Sequence, residues 1–253
     1  MMNTPSNPQR ERLIFALDVG GGLDEALSWV DRLWDHVGLF KVGKESFVRY
    51  GTEIVRQIHA RGGKVFLDLK FHDIPNTVAR AAEAAADLGV AMFNLHALGG
   101  MRMMEETVAA LERVARKRGK PAPVVLAVTV LTSLDDGDLE AMGFGGGTRE
   151  TVLNLARLAQ DAGIAGVVAS AEDAADIRKT CGREFLIVTP GIRGAGEVAR
   201  DDQKRIMTPC EAVRRGSDYL VVGRPIRQAE DPPGEADGIV REIARGLALR
   251  EGG

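Results

Sequence analysis

Short apolar runs rich in Val, Ile and Leu recur along the chain, and each is followed by a longer stretch whose apolar residues fall at helical spacing. The runs predict eight strands, over residues 13–19, 39–42, 64–70, 92–97, 124–131, 166–169, 185–189 and 219–222. The stretches between them predict amphipathic helices over 25–36, 46–60, 75–88, 101–117, 149–162 and 171–179, with a last helix over 235–249. A short helix over 209–215 starts at Thr208-Pro209, where a hydroxyl cap precedes a first residue that needs no donor. Strands that alternate with helices imply a parallel sheet covered by helices. Eight such units fit a (β/α)8 TIM barrel, with chemistry at the C-terminal ends of the strands, better than an open doubly wound sheet. Gly20-Gly21-Gly22 lacks the dinucleotide spacing, and the acids Asp24 and Glu25 that follow it would repel a pyrophosphate. No linker or low-complexity tract interrupts the pattern, so residues 13–253 are expected to form one catalytic domain. Residues 1–12, polar and carrying Pro5 and Pro8, are expected as a flexible arm.

Composition narrows the class. With 45% hydrophobic and 27% charged residues in 253, the chain can bury a large core. Lys and Arg number 33 against 36 Asp and Glu, a net charge of -3, so no cationic surplus exists for nucleic acid or an anionic membrane. No run approaches the ~18 apolar residues of a membrane span, and the N-terminus lacks the apolar stretch of a signal peptide. A cytoplasmic protein is expected. Cys181 and Cys210 match no zinc spacing and read as reduced thiols.

Charge at the ends of apolar strands is costly unless it is paired or used. Asp18 is expected at the end of the first strand, Lys41 on the second, and Asp68 and Lys70 on the third. Side chains alternate along a strand, so Phe66, Asp68 and Lys70 share one face while Val65, Leu67 and Leu69 take the other. A single Asp-Lys pair reads as a buried salt bridge. Two carboxylates and two ammonium groups at catalytic positions point instead to function, because an apolar replacement would often serve stability as well. Asp73 lies in the loop beyond the third strand. Gly223-Arg224 after the eighth strand suits phosphate, since glycine permits close backbone approach and arginine forks onto phosphate oxygens. The long loop from Thr189 through Arg193 and Gln203 to Thr208 reads as a lid. His72 adjoins Asp73, and with Asp68 the two suggest a metal site, while His96 ends the fourth strand beside Asn94; but Lys41 and Lys70 would repel a divalent ion and no metal is expected. His36 and His59 read as solvated, and Met101, Met103 and Met104 as packing residues.

Phe66-Leu-Asp68-Leu-Lys70-Phe-His-Asp73-Ile-Pro-Asn-Thr77 resembles the signature of the orotidine 5'-phosphate decarboxylase family. Ala16-Leu-Asp18, Lys41-Val-Gly-Lys44-Glu, Asn94-Leu-His96-Ala, Val128-Thr-Val-Leu-Thr132-Ser, Val188-Thr-Pro-Gly-Ile-Arg193 and Val222-Gly223-Arg224-Pro225 are also similar, in family order along almost the whole chain. The resemblance implies conversion of orotidine 5'-monophosphate to UMP in pyrimidine biosynthesis, without a cofactor. It implies that Asp18 and Lys41 hold the ribose hydroxyls, that Asp68 faces the scissile carboxylate and that Lys70 protonates C6. Thr132 would contact the pyrimidine, and Arg193, Gln203, Gly223 and Arg224 the phosphate side. It also implies a homodimer in which Asp73 and Thr77 complete the neighbouring site. A metal-dependent sugar-phosphate lyase or epimerase sharing Asp68 and Lys70, and a non-catalytic phosphate-ligand binder, are the competing readings at this level.

Overall fold

The computed structural model describes residues 7–192 and 207–252. Its strands are β1 (Leu13–Ala16), β2 (Leu39–Gly43), β3 (Val65–Phe71), β4 (Met92–His96), β5 (Val124–Val128), β6 (Gly166–Val168), β7 (Leu186–Pro190) and β8 (Tyr219–Val222). They follow one another in chain order around a closed barrel, the (β/α)8 class. The helices are α1 (Leu23–Leu33), α2 (Lys44–Tyr50), α3 (Glu53–Ala60), α4 (Pro75–Asp87), α5 (Met101–Arg118), α6 (Asp136–Ala141), α7 (Gly147–Asp161), α8 (Ala174–Cys181), α9 (Pro209–Arg215), α10 (Arg224–Gln228) and α11 (Pro232–Glu251).

The structure departs from the pattern in places. The helix expected over 46–60 is two, because Gly51 takes φ 58° and ends α2 with a bond from its N–H to the carbonyl of Phe47. The first and fifth strands stop at Ala16 and Val128, earlier than their apolar runs. Helix α6, unforeseen, begins at a capping box in which Asp135 and Asp138 each accept the other's backbone N–H.

Contacts divide the chain into two compact units, Met1–Phe66 with Gly191–Gly253, and Leu67–Pro190. In the first unit β1 lies between β2 and β8, with Phe15 opposite Phe40 on one side and Val222 on the other. Phe15 stacks on Trp29 and meets Phe40 edge-on, and all of β1 up to Phe15 is buried. Of the expected arm, residues 7–12 lie within the described chain and are anchored. Arg10 donates to the carbonyl of Asp35, while Arg12 and Arg250 approach Asp218 Oδ1 at 3.8 and 3.4 Å. His36 is not simply solvated, since its Nδ1 lies 2.9 Å from Asp237 Oδ1. His59 on α3 is half-buried, and desolvation pushes its pKa down.

In the second unit β4, β5, β6 and β7 form a continuous parallel ladder. Small residues of α4, Ala79, Ala82, Ala85 and Ala86, are buried where α4 packs against α5. Met103 and Met104 are fully buried, as packing residues should be, and Arg118 pairs with Asp87 across the same two helices. Cys181 is a buried free thiol whose pKa burial pushes up. Among the described residues no helix is long and apolar enough to cross a membrane.

Candidate active site

In the first unit, Lys41 stands on β2 with 8% of its surface exposed, and its Nζ donates to Asp18 Oδ2 at 2.8 Å. Asp18 does not end a strand. It lies two residues beyond β1, although the N–H of Leu17 still reaches the carbonyl of Lys41 at 3.0 Å and so carries the β1–β2 ladder past the last strand residue. Side chains hold this extension by its carbonyls. Buried Ser46 donates to Leu17 O at 2.9 Å, Arg227 donates to Asp18 O at 2.5 Å, and the Tyr50 hydroxyl donates to Gly21 O. The pair also needs Gly43, because a side-chain carbon there would lie 2.5 Å from Asp18 Oδ1 and 3.2 Å from Lys41 Nζ. Gly223 caps α10, and Arg224, its first residue, is exposed. Arg193 and Gln203 lie outside the described residues.

In the second unit, Asp68 and Lys70 meet as the alternation along β3 requires, with Lys70 Nζ 2.6 Å from Asp68 Oδ1. The backbone beneath them is not a regular strand. Lys70 has φ 53°, the left-handed region, and is the one non-glycine residue there among those described. Such a conformation persists only where its surroundings impose it. Here its N–H donates to Asn94 Oδ1 at 2.8 Å, while Asn94 Nδ2 donates to Asp68 Oδ1 at 2.7 Å. Asp73 is exposed beyond β3 and accepts the N–H of Ile74 at 2.6 Å. Thr77 is exposed on the first turn of α4, and Thr132 is exposed in the turn after β5. His72 and His96 stack with ring centroids 5.4 Å apart, and His96 Nδ1 accepts the N–H of Leu98 at 3.4 Å. Among the described residues no three His, Cys, Asp or Glu side chains form a metal-holding group.

Residue pattern alone gives no role to Asn94, Gly43, Ser46 or Arg227. Asn94 carried a signal, as a polar residue in the middle of an apolar strand. The other three act on backbone or through the absence of a side chain, which residue type alone does not disclose.

The arrangement can do specific chemistry: a partly buried ammonium, held beside a carboxylate and by its own backbone, offers a positive charge and a proton at one defined place. Comparison with known proteins places it in a family. The model of the orotidine 5'-phosphate decarboxylase / HUMPS family matches residues 11–239. A Syntrophus aciditrophicus protein named orotidine 5'-phosphate decarboxylase is 64% identical over 251 residues, covering 99% of this chain and 100% of its own. A Geobacter sulfurreducens protein of the same name is 54% identical, over 94% of this chain and 98% of its own. The crystal structure of orotidine 5'-phosphate decarboxylase from Lactobacillus acidophilus superposes with a TM-score of 0.80 at 37% identity, covering 91% of this chain and 98% of that one.

Proposed function

This chain belongs to the orotidine 5'-phosphate decarboxylase family, with relatives named for a carboxy-lyase, and on that premise we propose that it converts orotidine 5'-monophosphate to UMP, a step of pyrimidine biosynthesis, with Lys70 as the acid and no cofactor. The observation that carries the reading is the Lys70 Nζ to Asp68 Oδ1 contact of 2.6 Å on a backbone held in the left-handed region. Loss of CO₂ from C6 of the pyrimidine leaves an electron pair in the ring plane, where the carbonyl π-system cannot take it up. Stabilisation must come from a charge at the carbon itself. The Lys70 ammonium supplies that charge and then the proton that quenches it. Asp68 faces the departing carboxylate, and like-charge repulsion in the ground state is relieved as neutral CO₂ leaves.

The remaining residues bind. Asp18 and Lys41 hold the ribose hydroxyls as acceptor and donor, and Thr132 contacts the pyrimidine. Arg224, with Gly223, Arg193 and Gln203, takes the phosphate, whose binding energy is spent away from the bond that breaks. The enzyme works in the cytoplasm as a homodimer, with Asp73 and Thr77 of each chain completing the other's site. Exposure supports this last element, since Ile74, Leu98 and Leu131, which follow β3, β4 and β5, are large apolar residues left 67%, 42% and 38% exposed at the same end of the second unit's strands.

The test is to add orotidine 5'-monophosphate to the purified protein and follow loss of the orotate chromophore, before and after exhaustive chelation. Turnover unchanged by chelation is expected. Turnover abolished by chelation and restored by a divalent ion would replace this reading with the metal-dependent one.

A further inference from the structure

Asn94 occupies the third position of β4, where Met92, Phe93 and Leu95 are buried and apolar, and it is itself only 1% exposed. An amide in such a place is costly unless both its ends are satisfied. Both are, and each by a residue of the reacting pair. A carboxylate can only accept and an N–H can only donate, so the amide nitrogen must face Asp68 and its oxygen must face the N–H of Lys70, as the 2.7 and 2.8 Å contacts have it. The bond to Lys70 falls on the one non-glycine residue, among those described, with a positive φ. A bond between strand backbones would not turn the chain there; a side chain reaching in from β4 gives the left-handed N–H its partner.

We propose that Asn94 is a positioning residue for the decarboxylation: one amide fixes both the backbone turn that aims Lys70 and the carboxylate orientation that Lys70 meets. The inference rests on Lys70 being the reacting group and deepens that reading. Asn94 touches no substrate atom in this scheme. Its loss leaves Asp18, Lys41 and Arg224 unchanged, so binding survives while the aim of the ammonium does not. Misplacement of a reacting group by about 1 Å can cost about 10²-fold in rate.

Two variants and one structure decide it. Asn94→Leu keeps the number and branching of side-chain heavy atoms and removes both contacts; kcat is expected to fall about 10²-fold with KM changed by less than about threefold. Asn94→Asp keeps the acceptor for Lys70 but, when ionised, sets a second carboxylate against Asp68. When protonated, its O–H restores the missing donor. The charged or titratable groups near it are Asp68 and Lys70 on β3 and His96 two residues along β4, while its β5 neighbours Val125, Leu126 and Ala127 carry none. The ratio of variant to parent kcat is therefore expected to climb as pH is lowered from about 8 to about 5. In a crystal structure of Asn94→Leu, Lys70 should leave the left-handed region. A raised KM with unchanged kcat, a ratio flat with pH, or Lys70 still at positive φ without the amide would each overturn the proposal. Parent turnover is measured first: an inactive parent sinks the decarboxylase reading alone, and the φ of Lys70 in the variant then decides the positioning role. If Asn94→Leu does not fold, the pH series on Asn94→Asp decides it.

Discussion

Lys70 concentrates two demands on one residue. Its side chain must present an ammonium beside Asp68, and its backbone must tolerate a conformation that costs a non-glycine residue about 1–2 kcal/mol. Strain of this kind is kept where surrounding contacts hold it and function uses it. Substitution by alanine separates the two demands, because it keeps the Cβ and its strain while removing the charge. Loss of one preorganised electrostatic group costs about 10² to 10³ in kcat, and here the proton donor goes with it, so Lys70→Ala should lose more than about 10³. Steady-state kinetics on the folded variant checks this. Activity within tenfold of the parent would remove Lys70 as the acid. At this scale most of the candidate site was legible: alternation put Asp68 and Lys70 together, and charge at strand ends drew attention to Asp18 and Lys41. The left-handed turn was not legible, because nothing in the lysine itself demands it. It is imposed by Asn94 from a strand 24 residues away.

Elements follow the pattern where one periodicity dominates and depart from it where short-range chemistry intervenes. Tyr219–Val222 and Pro209–Arg215 fall where the pattern puts them, the second because Thr208 caps it and Pro209 opens it. The break at Gly51 was hidden because apolar spacing runs on through it at a helical period. The early ends of β1 and β5 were hidden because apolar residues that leave a ladder remain apolar. Helix α9 also yields a test of its surface charges. Glu211 accepts from Arg214 and Arg215 at 2.8 and 2.9 Å, and these hydrogen bonds hold its carboxyl at about 2. A carboxyl depressed in the folded state adds stability above its ordinary value of 4.5 and loses it as pH falls toward the folded one. Because Glu211 is mostly exposed, screening limits the whole effect to about 1 kcal/mol or less. The difference in Tm between the parent and Glu211→Gln should shrink as pH is taken from about 6 to about 3. A difference constant over that range would mean that the pairs add nothing to stability.

At the scale of the whole molecule, the proposed sharing of sites between two chains is testable by mixing. Lys70→Ala dimers lack the acid in both sites and Asp73→Asn dimers lack the contributed carboxylate in both. In a mixed dimer one site carries both lesions and the other carries neither. Random re-pairing of equal amounts gives about half mixed dimers, and hence about a quarter of parental activity. No gain over the two inactive parents, once subunit exchange is confirmed, would return Asp73 to its own chain's site. The division of the chain into units has a different consequence, one that concerns time. Leu67–Pro190 is a continuous stretch and is complete as soon as it has left the ribosome, whereas the other unit draws on both ends of the polypeptide. Arg12 and Asp218, which meet in the folded unit, are 206 residues apart. At about 5–20 residues per second, translation needs roughly 10–40 s to cover that interval. Through that delay the Leu13–Phe15 edge that will receive β8 has no partner to pair with. An unpaired apolar edge is a template for other chains, so on the nascent polypeptide the first strand made is the one that waits longest and depends most on protection from its neighbours.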